Sequence, residues 1–158
     1  MKEIESKMIY EFENHSLYYE GKIDETPTFS LMVDTLELEI DKKNGRLLSI
    51  QGFLPLVNAI HTTILMKDYE EGSFYLEKDH IDWYQENQVY DLLSKIPEIQ
   101  EYFAPLIIKY DEEKGIIQLG TDLDVQDILT KVNENIFCGT DEYMKLKCIY
   151  VVPSEFRS

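Results

Sequence analysis

The chain has 158 residues, 44% of them hydrophobic and 12% aromatic, with 15 Lys plus Arg against 31 Asp plus Glu and a formal net charge of −16. That apolar content supports a sizeable core and excludes a disordered chain, while 7 Gly and 5 Pro exclude low-complexity and collagen-like classes. The length suits one domain, so residues 1–158 read as a single globular domain.

In chain order, Met1–Lys7 is charged and no apolar stretch typical of a signal peptide follows. No segment approaches the ~20 apolar residues of a membrane span. Met8–Phe12 and Ser16–Tyr19, separated by Glu13–His15, predict a hairpin, and Thr28–Val33 predicts a further strand. Leu36, Leu38 and Ile40 alternate with Glu37 and Glu39, so this strand buries one face and wets the other. It leads through Asp41–Gly45 into a return strand, Leu47–Ile50, and then an apolar segment, Gly52–Leu56, expected at the core edge. A second hairpin is predicted over Ile64–Lys67 and Ser73–Leu76, around Asp68–Gly72. Trp83–Lys95 is predicted as a helix, with Val89, Leu92 and Leu93 facing inward. Pro97 suits the first turn of another, through Phe103, which Pro105 stops.

A third hairpin joins Leu106–Tyr110 to Ile116–Leu119 around Asp111–Gly115. The three turn segments share the form Asp-x-x-x-Gly. The aspartate accepts a bond from the backbone two residues on, and the glycine supplies the positive φ that closes the turn. Val125, Ile128, Leu129 and Val132 stand at i, i+3, i+4 and i+7, predicting an amphipathic helix over Asp124–Val132 with Thr121, Asp122 or Asp124 as cap. Met144–Val152, ahead of Pro153, predicts the last strand. Helices set among hairpins predict an α+β fold: an antiparallel β-hairpin sheet with two or three short helices packed on one face.

Acidity is uneven along the chain. Residues 1–67 hold 11 acids and 7 bases, 68–142 hold 19 and 5, and 143–158 hold 1 and 3. The acidic middle also carries Tyr69, Phe74, Tyr75, Trp83, Tyr84, Tyr90, Tyr102 and Phe103. Tyr and Trp add interface area with few rotors and keep a polar tip. The candidate partner-binding residues are therefore Tyr69, Glu70, Glu71, Asp79, Asp82, Trp83, Tyr84 and Glu86. The alternative for each aromatic is a place in the core. A field this negative repels nucleic acid and anionic membranes and attracts basic proteins. Only Arg46 and Arg157 are available for bidentate phosphate contacts.

No chemistry-bearing motif stands out. Phosphate loops, dinucleotide glycines and nucleophile elbows are missing. His15, His61 and His80 are isolated, and no metal-ligand spacing occurs. Asp79, His80 and Asp82 read as helix-capping groups rather than ligands. Cys138 and Cys148 read as packed free thiols of a cytoplasmic protein. No cofactor is expected. Under an enzyme reading, a deep pocket gathers His61 or His80 with a cysteine or carboxylate.

In composition the chain resembles small, acidic bacterial immunity proteins and nuclease inhibitors. The resemblance carries over no residue. It implies a rigid scaffold presenting carboxylates and aromatics to a basic protein partner. Two further readings stand beside it: a structural or oligomeric accessory domain without catalysis, and a small-ligand-binding protein or enzyme.

Overall fold

Strands dominate. The computed structural model describes residues 7–21, 26–76, 84–96 and 99–158. In chain order the first strands are β1 (Lys7–Glu11), β2 (Ser16–Glu20), β3 (Thr28–Val33), β4 (Leu36–Asp41), β5 (Leu47–Phe53), β6 (Ile60–His61) and β7 (Glu70–Glu71). They are followed by β8 (Val89–Asp91), β9 (Ile108–Asp111), β10 (Ile116–Gly120), β11 (Ile128–Lys131), β12 (Ile136–Thr140), β13 (Leu146–Val151) and β14 (Glu155–Arg157). Helix among the described residues is confined to single turns, α1 (Leu92–Lys95), α2 (Gln100–Phe103) and a 3₁₀ turn at Leu56–Asn58. None of these is long and apolar enough to cross a membrane.

The strands form two seven-stranded sheets, ordered β14-β1-β2-β5-β4-β3-β8 and β6-β9-β10-β13-β12-β11-β7. The chain divides into two compact units. One is Met1–Pro55 with Tyr75–Tyr90 and Pro153–Ser158; the other is Leu56–Phe74 with Asp91–Val152.

In the first unit the period-2 pattern becomes one buried face. Phe29, Ile40 and Leu47 stand in one cross-strand row, and Leu31, Leu38 and Ile50 in the next, all buried. Burying each such side chain is worth roughly 1.5–3 kcal/mol. On the other face Glu39 accepts the hydroxyls of Thr28 (3.2 Å) and Ser49 (3.0 Å). The first Asp-x-x-x-Gly turn forms as expected: Asp41 Oδ1 accepts Lys43 N–H at 2.8 Å, and Gly45 has φ +77°. The expected N-terminal hairpin is β1–β2, with β14 added parallel to β1.

In the second unit, β10, β12 and β13 are buried along their whole length. Sheet strands covered on both faces read as continuous apolar runs rather than alternation. The third turn also forms, with Asp111 Oδ1 accepting Lys114 N–H, three residues on rather than two, at 3.0 Å and Gly115 at φ +69°. The edges are β6, parallel to β9, and β7, parallel to β11.

The fold is therefore mostly β with two mixed sheets, and this overturns the α+β expectation of one antiparallel sheet carrying two or three helices. The predicted Asp124–Val132 helix is a turn followed by β11. Asp127 Oδ2 accepts Asp124 N–H at 2.6 Å, and Asp127 N–H bonds Asp124 O at 3.1 Å, which closes the turn. β-branched Ile128 and Thr130 then pair into the sheet. Leu129 and Val132 are buried, but Val125 is 97% exposed.

The predicted Trp83–Lys95 helix is also largely strand and turn. Trp83 lies outside the described residues. Asn87 has φ +63°, its N–H bonds Thr28 O, and Ser30 N–H bonds Gln88 O, which draws β8 into the first sheet. Only Leu92–Lys95 is helical. Gln100–Phe103 is helical as expected and ends at extended Ala104; Pro97 lies outside the described residues. The second predicted hairpin does not form. Ile64 packs in the second unit, whereas Tyr75 bridges Arg46 and Leu76 N–H bonds Gly45 O in the first.

Candidate functional site

The second unit is built around a strap. Residues 60–71 leave one edge of the sheet as β6, cross one of its faces, and join the opposite edge as β7. Ile64 seats the strap on Ile116, Leu129, Phe137, Cys148 and Tyr150. Backbone and side chains pin it along its length. Thr62 N–H bonds Tyr110 O at 3.1 Å, Ile64 N–H bonds Asp111 Oδ2 at 2.9 Å, and Lys114 Nζ bonds Ile64 O at 2.9 Å. Lys67 Nζ donates to the carbonyls of Asp124 (3.0 Å), Val125 (3.2 Å) and Asp127. Gly72 N–H closes the far edge on Lys131 O at 3.0 Å.

A charged network holds the loop that Lys67 caps. Lys147, buried in β13, pairs with Asp127 at 2.7 Å and Asp124 at 2.9 Å, and its ammonium lies 5.7 Å from the centre of the Tyr102 ring. Burial works against ionisation at both Asp127 and Lys147. Burial is the largest single influence on each, but their mutual hydrogen bond together with the Asp124 contacts and the surrounding charges outweighs it, so the Asp127 carboxyl is held below the usual range and the Lys147 ammonium above its own. Nearby, Asp141 Oδ1 accepts the N–H groups of Tyr143 (2.9 Å) and Lys145 (3.0 Å), and its Oδ2 accepts Tyr102 Oη at 3.1 Å.

Between strap and sheet lies a pocket of about 340 Å³, lined in part by Thr62, Thr63, Lys109, Gln118, Asp122 and Tyr150. Lys109 Nζ bonds both Asp122 oxygens (2.9 and 3.0 Å) and Gln118 Nε2 donates to Oδ1 at 2.8 Å. The Lys109 ammonium, then the Gln118 amide, hold the Asp122 carboxyl below its usual range. Burial pushes the Tyr150 hydroxyl up. No histidine or cysteine lines this pocket. His61 is exposed on β6, edge-on to Tyr110 at 5.6 Å, and His15 lies 6.0 Å from Phe53 in the first unit. His80 lies outside the described residues. Both cysteines are buried free thiols; burial pushes Cys148 up to about 12 and Cys138 up as well, which makes poor nucleophiles of them. Among the described residues no group of three or more His, Cys, Asp or Glu is placed to hold a metal ion.

The predicted partner-binding residues separate. Tyr69, Glu70 and Glu71 stand together on the β7 edge. Both glutamates are exposed, and Tyr69 is 47% exposed with its ring edge-on to Phe137 at 5.0 Å. Tyr84 belongs to the first unit's core, stacked on Phe29 at 4.3 Å and edge-on to Tyr90 at 5.0 Å, so it presents no surface to a partner. Glu86 is exposed in the turn before β8. Asp79, Asp82 and Trp83 lie outside the described residues. The charge divides evenly: the first unit's segments hold 16 acids against 8 bases and the second's hold 15 against 7, a net of −8 each. The acidic middle of the chain is thus shared between two units.

Sequence reasoning missed Lys67, Lys147 and Asp127, and the exposed Val125, Tyr143 and Met144. One signal was readable: Lys147 is a lone lysine within the apolar run Leu146–Val151, where a buried cation demands a carboxylate partner. No protein-family model matches the chain, and no curated protein matches it.

Proposed function

We propose that the chain is a cytoplasmic binding protein for a basic protein partner, acting as immunity proteins and nuclease inhibitors do. The observation that carries this reading is the β7 edge. Asp68, Glu70 and Glu71 are exposed there, none is in an ion pair among the described residues, and half-exposed Tyr69 sits between them on Phe137. Unpaired carboxylates steer a cationic partner, and a ring fixed at its root loses little entropy on contact. Affinity capture from the native cell tests it. A basic protein should be retained at low salt, lost as salt rises, and lost at low salt from a Glu70→Lys/Glu71→Lys variant. Retention indifferent to salt and to charge reversal overturns the proposal.

The strap pocket favours a second reading, a small-ligand-binding protein. Its polar floor of Lys109, Gln118 and Asp122 is pre-oriented, and its volume is within the range of ligand sites. A screen of small polar metabolites by thermal shift distinguishes the two. Stabilisation that Gln118→Leu abolishes supports the pocket, and no stabilisation removes it.

A further inference from the structure

Resting on the partner reading above, we infer that one end of the second sheet is the apolar centre of the contact with the basic protein. The pairing of Ile128 with Thr140, and of Thr140 with Leu146, brings the 124–128 loop and the 141–145 turn to that end. Four apolar side chains stand there in water: Val125 at 97% exposure, Tyr143 at 74%, Met144 at 67% and Ile128 at 46%. Exposure of one such residue is ordinary, but four on adjoining segments form a patch of the kind that marks an interaction site.

The backbone beneath them is over-determined. Lys67 clamps three carbonyls of the loop, and Lys147 binds its two aspartates. Asp141 caps two N–H groups of the turn and accepts Tyr102. Met144 is held at φ +64°, a left-handed conformation that costs a side-chain-bearing residue free energy. The fold gains almost no burial from Val125 and little from Tyr143 and Met144, yet fixes the backbone that carries them. Fixed apolar groups lower the entropy cost of association, which is what a docking surface requires.

Charge selects the occupant. Exposed Glu142 flanks the patch, Asp124 beside it is paired with buried Lys147, and Lys145 shares the turn, so the preference for a cationic occupant is set by the net charge of the whole chain rather than by these neighbours. A second copy brings the same −16, and a polyanion is repelled outright. A protein with an apolar or aromatic centre ringed by Lys and Arg complements it.

The test is site-specific photo-cross-linking of the full chain in its native cell, with p-benzoylphenylalanine placed at Tyr143, Val125, Tyr69 or Val57. Val57 is exposed elsewhere on the same unit. The expected result is one basic protein joined through positions 143 and 125 and not through 57. With that protein purified, Tyr143→Ala should weaken binding about thirtyfold or more while the unfolding midpoint stays unchanged. Met144→Gly, which relieves the strained φ, should weaken binding while raising stability. A basic partner joined at 69 but at neither 143 nor 125 overturns this inference and leaves the partner reading standing. Adducts at 143 composed of a second copy overturn it in favour of self-association. No basic partner at any position removes both.

Discussion

The two sheets solve the same problem in different ways. The first, with rows such as Phe29–Ile40–Leu47 on one face and Glu37 and Glu39 on the other, keeps its polar groups where water is near. The second has strands buried along their length, so each polar group within it must be answered from inside the protein. Lys147 is answered by Asp127, and Gln118 by Asp122. The lesson is that polar partnership in a doubly covered sheet becomes a condition of folding, whereas in a half-wet sheet it is optional.

The largest effect that sharpens this contrast is expected from Asp127→Ala, which removes the buried one of the two carboxylates paired with Lys147 and leaves only exposed Asp124 to answer it. We expect a loss of about 3 kcal/mol, read from urea unfolding, because breaking the buried pair leaves the Lys147 ammonium only partly compensated. A comparable surface change in the first sheet, Glu37→Ala, should stay within about 0.5 kcal/mol. Equal losses would erase the distinction.

Acid should probe the same groups. The folded carboxyls of Asp122 and Asp127 titrate below their unfolded value of about 4. The stability they contribute is complete above that pH and is lost as pH falls through the folded values. Asp127→Asn should flatten the acid limb of stability against pH, and an unchanged limb would assign acid sensitivity elsewhere.

A smaller and equal effect is expected at the two hairpin turns. Gly45→Ala and Gly115→Ala should each cost about 1 kcal/mol, since both positions hold positive φ. Unequal losses would show that the surroundings, and not the turn itself, set the cost. The smallest effect is expected at Val125→Ala, within about 0.5 kcal/mol of the wild type, because its side chain contributes no core.

These contrasts also explain what could be read in advance. The first and third Asp-x-x-x-Gly turns were legible because the chemistry that closes them is local: the aspartate and glycine involved are four residues apart, and the Asp41–Lys43 and Asp111–Lys114 bonds lie within the turn. Thr28–Val33 was legible because β4, with which it pairs along its whole length, is the next strand in sequence. The 124–132 segment misleads because its apolar spacing fits a helix, while its fate is set by Lys147 and Lys67, 20 and 60 residues away. Asp68–Gly72 has the same turn letters as the others, but the chain passes from one unit to the other within its second arm, between Phe74 and Tyr75. Of the anticipated binding residues, the β7 trio was legible as exposed and acidic. Tyr84 was not legible as core, because its partner Phe29 is distant in sequence.

The strap has a consequence for synthesis of the chain. It is made before any strand it touches: Asp111, Lys114 and the 124–127 loop lie 47 to 60 residues further along. A ribosome therefore exposes Ile64 and the two future edge strands well before β9–β13 exist to receive them. Completion of β13 supplies Lys147, and only then can the 124–127 loop take the charge that fixes it. The last third of the chain thus determines when the middle third stops being an unprotected apolar segment, and truncations before Lys147 should aggregate rather than merely lose affinity.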